Sequence, residues 1–279
     1  MPMAETALAD RAVVRYSVLT VGVAACVLVA VPLVPWLRDD RAMPSCALTA
    51  AERPALAMIA FALAFALWVG LACLVGRLLN AAVGLFVLGC GAFAAAGRCG
   101  TVVDAAFGGT GLLPIAVETL VLSLAVLGAS ATVFAVSGPL PDMPARSPRG
   151  PFRGEVFNAD AARSMAAGLL SVAAMWLVCR TDTKGQAVFG AALGGVATAF
   201  AARRMLAGSQ PILPMAAPVL AVGLAQLWTA LTMKAPLDQA VALRALPGWS
   251  TAMPLDVVAG TLMGVPFGLG WSKPSEAGD

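Results

Sequence analysis

Histidine is absent from this 279-residue chain. That gap removes His-ligated haem, most zinc sites and any imidazole general base. Charge is scarce as well: Asp, Glu, Lys and Arg make up 12% of residues, about half the roughly 25% typical of soluble domains. The net charge of +3 comes from dispersed arginines, and no basic block marks a nucleic-acid surface. The cysteines Cys26, Cys46, Cys73, Cys90, Cys99 and Cys179 show no CxxC spacing, so neither a metal knuckle nor a thioredoxin-like motif is expected. The alternating short strands of a membrane β-barrel are missing too. No cofactor and no resident metal are expected, and any catalyst here would work with carboxylates, thiols or hydroxyls.

What the chain has is apolar length. Hydrophobic residues make up 60% of it, the mean hydropathy is +0.87, and the apolar blocks are too long for soluble core helices. The pattern predicts an all-α, polytopic transmembrane bundle in a single integral membrane domain. About eight spans are expected, near 17–37, 55–76, 78–97, 115–136, 161–179, 187–202, 212–233 and 257–271. Arg11 and Arg15 precede the first span, "RDDR" closes it, and no small-residue cleavage site follows, which reads as an uncleaved signal anchor. An Arg/Pro-rich loop, residues 137–164, divides the chain nearly in half. Eight spans put ten lysines and arginines on the side of the N-terminus and eight on the other, a bias toward a cytoplasmic N-terminus.

Charges in or near a bilayer are costly, so each is a functional candidate by default. These are Asp104, Glu118, Asp182, Asp238 and Asp256. Two expected spans separate Asp104 from Asp182, so both fall on one membrane face. An aspartyl dyad needs that arrangement, two carboxylates sharing a proton. The structural alternative makes Asp182 the N-cap of the sixth helix and Asp104 a turn residue. Glu118, one turn inside the fourth span, and Asp256 are each either favoured by a helix dipole or part of an ion-coupling site. Asn80 and Gln226 read as helix–helix hydrogen-bonding residues. Cys46 and Cys99 share a face and would form a disulfide if that face is oxidising. Finally, "VVDAAFGGTGLLPIAVETL" and "PLDQAVALRALPGWSTAMPLDVVAGTL" echo one another, as two halves of a transporter-like repeat would.

"DTKGQAVFGAALG" resembles the second catalytic segment of bacterial type IV prepilin peptidases, which are polytopic aspartyl proteases. Asp182, Lys184, Ala187, Gly190, Ala191, Leu193 and Gly194 occupy the matching places. "VVDAAFGGTGLLP" is similar to the first catalytic segment, through Asp104 and Pro114. The resemblance covers roughly Val102 to Trp228. It implies an intramembrane endopeptidase of a bacterial cytoplasmic membrane, with Asp104 and Asp182 as the dyad, Lys184 and Glu118 as accessory groups and a membrane-anchored peptide as substrate. The chain departs from the family where Cys179-Arg180-Thr181 stands in place of a Gly-x-Gly before the second aspartate. Two other expectations stand beside this one: a small-solute or ion transporter component with Glu118 and Asp256 facing a cavity, and a non-catalytic subunit of a larger membrane complex. The expected partners are the lipid bilayer and other membrane subunits or a membrane-anchored peptide, with no nucleic acid.

Overall fold

The computed structural model describes residues 2–45, 47–142, 159–205 and 210–272. Among these the chain is helical, and a lone antiparallel bridge between Arg38 and Pro44 stands in for any sheet. The helices are α1 (Pro2–Leu33), α2 (Pro54–Leu78), α3 (Ala81–Ala96), α4 (Val102–Phe107), α5 (Leu112–Ser137), α6 (Ala159–Ala166), α7 (Leu169–Val178), α8 (Lys184–Met205), α9 (Ile212–Thr232), α10 (Leu237–Ala242) and α11 (Pro254–Trp271). Most of the expected Arg/Pro-rich loop, and Cys46 with its expected disulfide, lie outside the described residues.

Five segments are long and apolar enough to cross a membrane: Ala12–Leu37, Pro54–Leu78, Leu112–Ser137, Lys184–Met205 and Ile212–Thr232. Leu28, Leu63, Leu67, Leu124, Phe189 and Leu231 on these segments are exposed. A helix whose outer face is this apolar is solvated by lipid, and the chain is a multi-pass helical membrane protein. The other three expected spans are helical but shorter. Helix α3 has 16 residues and α11 has 18. The fifth is broken into α6 and α7 at Ala167-Gly168, where a Cβ on Gly168 would stand 2.5 Å from the carbonyl of Ala217. Asn80 is not within a span. Its Oδ1 accepts from the Val83 N–H at 2.9 Å and caps α3.

The sequence echo has a structural counterpart. Each half runs three helical segments, a six-residue helix and a fourth segment: α1, α2, α3, α4, α5 and then α6–α7, α8, α9, α10, α11. The halves exchange their last helices. Helix α5 packs chiefly on α9 of the second half, and α11 packs on α3 of the first as well as on its own α8. Thr119-Leu120 and Thr261-Leu262 stand seven residues after their helix starts (112 to 119, 254 to 261). A Cβ on Gly223 would meet Leu120 at 2.9 Å, and one on Gly89 would meet Leu262 at the same 2.9 Å. The short helices α4 and α10 touch each other where the halves meet. Helix α11 is buried on nearly every side, so its neighbours surround most of it.

The bundle therefore has two ends. The proximal end carries the start of α1, the α2–α3 junction and the C-termini of α5, α8 and α11. The distal end carries the segment after α1, α4, the α7–α8 turn and the α9–α11 connection with its short helix α10.

At the distal end, Asp39 closes a tight turn. Its carboxylate accepts from the backbone N–H of Arg41 and Met43 at 3.0 and 2.9 Å, and the Arg41 guanidinium binds it at 3.0 Å. Burial opposes its ionisation, but the hydrogen bonds from Met43 and Arg41 outweigh that, and its pKa lies below the usual value. A depressed carboxylate stabilises the fold above its unfolded pKa, about 3.9, and the contribution disappears as pH falls through the folded value. The protection factors of the Ser45 and Glu52 amides, which bond to Leu37 and Arg38 across this turn, should fall on acidification below about pH 4. In Asp39→Asn that pH-dependent loss of protection should be absent.

Candidate functional site

Asp104 and Asp182 do lie at the same end of the bundle, but in different settings. Asp104 is the third residue of α4. Its Oδ2 accepts from the Thr101 N–H at 2.6 Å and from the Thr101 hydroxyl at 3.1 Å. This reciprocal cap stops the short helix fraying, and the Thr-x-x-Asp spacing of "TVVD" carried that signal. Arg41 then donates to the Asp104 carbonyl at 2.7 Å, pinning α4 to the segment after α1.

Asp182 is exposed and, among the described residues, has neither a hydrogen bond nor an ion pair. It does not cap α8, which begins at Lys184; the Thr183 carbonyl takes the first helical bonds instead. The turn is shaped by Gln186, whose Oε1 accepts from the N–H of Arg180 and of Thr181 at 3.0 and 2.9 Å. Nothing in the sequence pattern singled out Gln186.

Asp182 lines a distal cavity of about 230 Å³ together with Val102, Val103, Arg180, Arg244 and Thr251. The cavity sits where the halves meet, since α4 supplies the two valines and the second half supplies the rest. Arg244 reaches it from a left-handed backbone, φ 52°, a conformation unusual for a long side chain. The Asp104 carboxylate faces another hollow, shared with Asp39, Met43 and Gly100. The structure thus brings the two aspartate segments together without pairing their carboxylates.

One wall of the distal cavity is Cys179. Its thiol donates to the Gln186 carbonyl at 3.3 Å and lies within electrostatic reach of Asp256. Asp256, 1% exposed, forms a salt bridge with Lys184 at 3.1 Å and also accepts from the Met253 N–H at 3.2 Å. Lys184 opens α8 and Asp256 lies in the first turn of α11, so the pair clamps the starts of two closely packed parallel helices. Its acidic member also benefits from the helix N-terminus.

No family model, curated protein or solved structure matches this chain.

Glu118, 6% exposed, serves the other half in the same way. Its two oxygens accept from the N–H of Leu48 at 2.9 Å and of Thr49 at 3.2 Å, fixing the segment that leads into α2. In each half, then, a carboxylate near the start of the fourth segment holds the approach to the second. Gln226 behaves as its polarity suggests: it takes the Thr119 hydroxyl at 2.7 Å and gives to the carbonyls of Ala252 and Trp249 at 2.9 and 3.2 Å. Thr261, the counterpart of Thr119, has no hydrogen-bond partner among the described residues. No cluster of metal-ligating side chains occurs among the described residues. Asp238 is exposed in the first turn of α10.

Proposed function

We propose that this protein is a membrane transport component for a small charged solute or ion. It is built as two four-segment halves, with α3, α6–α7 and α11 completing eight crossings. The observation that carries this reading is the reciprocal exchange of α5 and α11 between halves that run in the same direction. Transporter folds place their solute sites at such repeat interfaces. The distal cavity lies at this junction, with guanidinium and carboxylate groups in its lining, and the buried Lys184–Asp256 pair adjoins its Cys179 wall. A buried ionic pair at a cavity is the usual mark of an ion pathway in membrane proteins.

The test is flux in proteoliposomes. Purified protein should give a solute-dependent current with at least one class of small charged solute, and Lys184→Met/Asp256→Leu should abolish that current while the protein stays folded. A current unchanged in the double variant would reject the role given to the pair.

A second reading keeps the likeness to prepilin peptidases. It is favoured by the unpartnered Asp182 carboxylate, which shares a cavity with Val102 and Val103, the immediate neighbours of Asp104. In that case a membrane-anchored peptide would be cut at the cytoplasmic face of a bacterial membrane, and Asp104→Asn and Asp182→Asn would each abolish cleavage. Labelling of a single cysteine at position 182 in intact cells would sink this second reading and leave the first standing.

A further inference from the structure

A second hollow, of about 530 Å³, opens at the proximal end, away from the distal cavity. Its volume lies in the range of small-molecule pockets. Leu19 of α1, Val83 and Phe86 of α3, and Phe267 and Trp271 of α11 form its walls. The aromatic wall is continuous: the Phe86 and Phe267 ring centroids are 5.9 Å apart, and the Phe267 and Trp271 centroids 5.3 Å. Phe267 and Trp271 are both exposed, so the hollow opens sideways, toward the place of the lipid tails, rather than only toward water. Tryptophan at a helix end is the usual interfacial residue.

The mouth of the hollow is polar and, among the described residues, carries a net positive charge. Arg203 lies there, bonded to Asp142 and to the Leu269 carbonyl, so these two opposite charges cancel. Arg15 stands one helical turn before Leu19 on the same face of α1. It is exposed and has no ion-pair partner among the described residues. Asn80 lines the mouth as well. Its carbonyl is taken by Val83, while its amide N–H groups have no acceptor among the described residues.

We propose that this groove holds one acyl chain of an anionic phospholipid, with the lipid phosphate at Arg15 and the Asn80 amide. The apolar walls and lateral opening select a hydrocarbon tail over a water-borne solute. The uncancelled charge of Arg15 selects an anionic headgroup over a zwitterionic one. The assignment is independent of the transport reading, since it uses the other end of the molecule and other residues.

Gly270 supplies the test. It lines the groove, yet a Cβ there would meet nothing within 4 Å. Gly270→Leu therefore adds bulk at the groove lining without straining the bundle. Gly128→Leu, on α5 and equally open, is the control. The full chain is reconstituted in phosphatidylcholine vesicles doped with brominated phosphatidylglycerol or, separately, with the same fraction of brominated phosphatidylcholine. Tryptophan quenching then reports which lipid sits beside Trp271, and Trp271→Phe identifies the part of the signal that comes from the groove.

The expected result is an apparent preference for the anionic lipid of about fivefold, the effect of one basic residue near a membrane surface. The preference should vanish in Gly270→Leu and Arg15→Gln and persist in Gly128→Leu. Equal quenching by the two lipids in the unmodified protein would overturn the proposal. So would a preference that survives Gly270→Leu, which would place the anionic lipid elsewhere. A preference lost in Gly270→Leu but retained in Arg15→Gln would overturn the headgroup assignment.

Discussion

Lys184→Met is expected to destabilise the protein by about 3–5 kcal/mol, the cost of breaking a buried ion pair from one side. The cost is large because Asp256 is left behind, 1% exposed, with only the Met253 N–H to accept from. Asp256→Asn should cost less. The Lys184 side chain is 18% exposed and can turn its ammonium toward the distal surface, a route that Asp256 lacks. The order of the two single variants is therefore predicted as well as their sign. Lys184→Met/Asp256→Leu removes both charges and should lie closer to the unmodified protein than either single variant, because a buried pair barely offsets its own desolvation. Thermal unfolding of all four proteins in one detergent measures this cycle directly. Equal losses in both single variants and their sum in the double would show that the two groups act separately. If the double variant is stable but carries no flux, the pair is kept for transport and not for the fold.

The membrane class and the helical positions were legible because they rest on length and apolarity, which a one-dimensional pattern displays fully. Span number was less legible: eight spans were expected, whereas five segments are long and apolar enough to cross a membrane and the other three are short or broken helices, α11 facing mainly other helices. The polar residues were harder still. Asp104 is committed to Thr101 three residues away, a local pairing that sequence spacing contains. Glu118 is committed to Leu48 and Thr49, some seventy positions away, and Asp256 to Lys184, seventy-two away. No spacing rule reaches that far. The family resemblance makes Lys184 an accessory group to the Asp104 and Asp182 dyad, but its salt bridge runs to Asp256 on another helix. The repeat lay between these extremes. Its two copies share few residues, yet they share the order of elements and the Thr-Leu pair that meets a glycine on the opposing half.

Gly89→Leu and Gly223→Leu should each be destabilising, Gly89→Leu the more so. Both glycines receive a leucine from the exchanged helix of the other half, Leu262 and Leu120 respectively, at the same 2.9 Å from where a Cβ would stand. Adding a four-carbon side chain at either position forces two packed helices apart. Overpacking costs of about 1–3 kcal/mol are typical, occasionally more, and rigid backbone on one side puts Gly89 at the upper end. At Gly89 the obstacle includes the Leu262 carbonyl carbon and the Met263 nitrogen at 2.9 Å. At Gly223 the nearest atoms are the Leu120 side chain, with its backbone nitrogen at 3.3 Å. Leu120 can rotate and Leu262 cannot retreat, so Gly223→Leu should be the milder of the pair. The compensating change sharpens the test: Gly223→Leu/Leu120→Ala should recover much of the loss, since the new side chain takes the volume the old one leaves. Gly89→Leu/Leu262→Ala should recover less, because backbone still blocks it. If Gly89→Leu unfolds at the same temperature as the unmodified protein, α11 does not seat against α3. The exchange of helices between the halves, and the interface that the distal cavity depends on, would then be wrong.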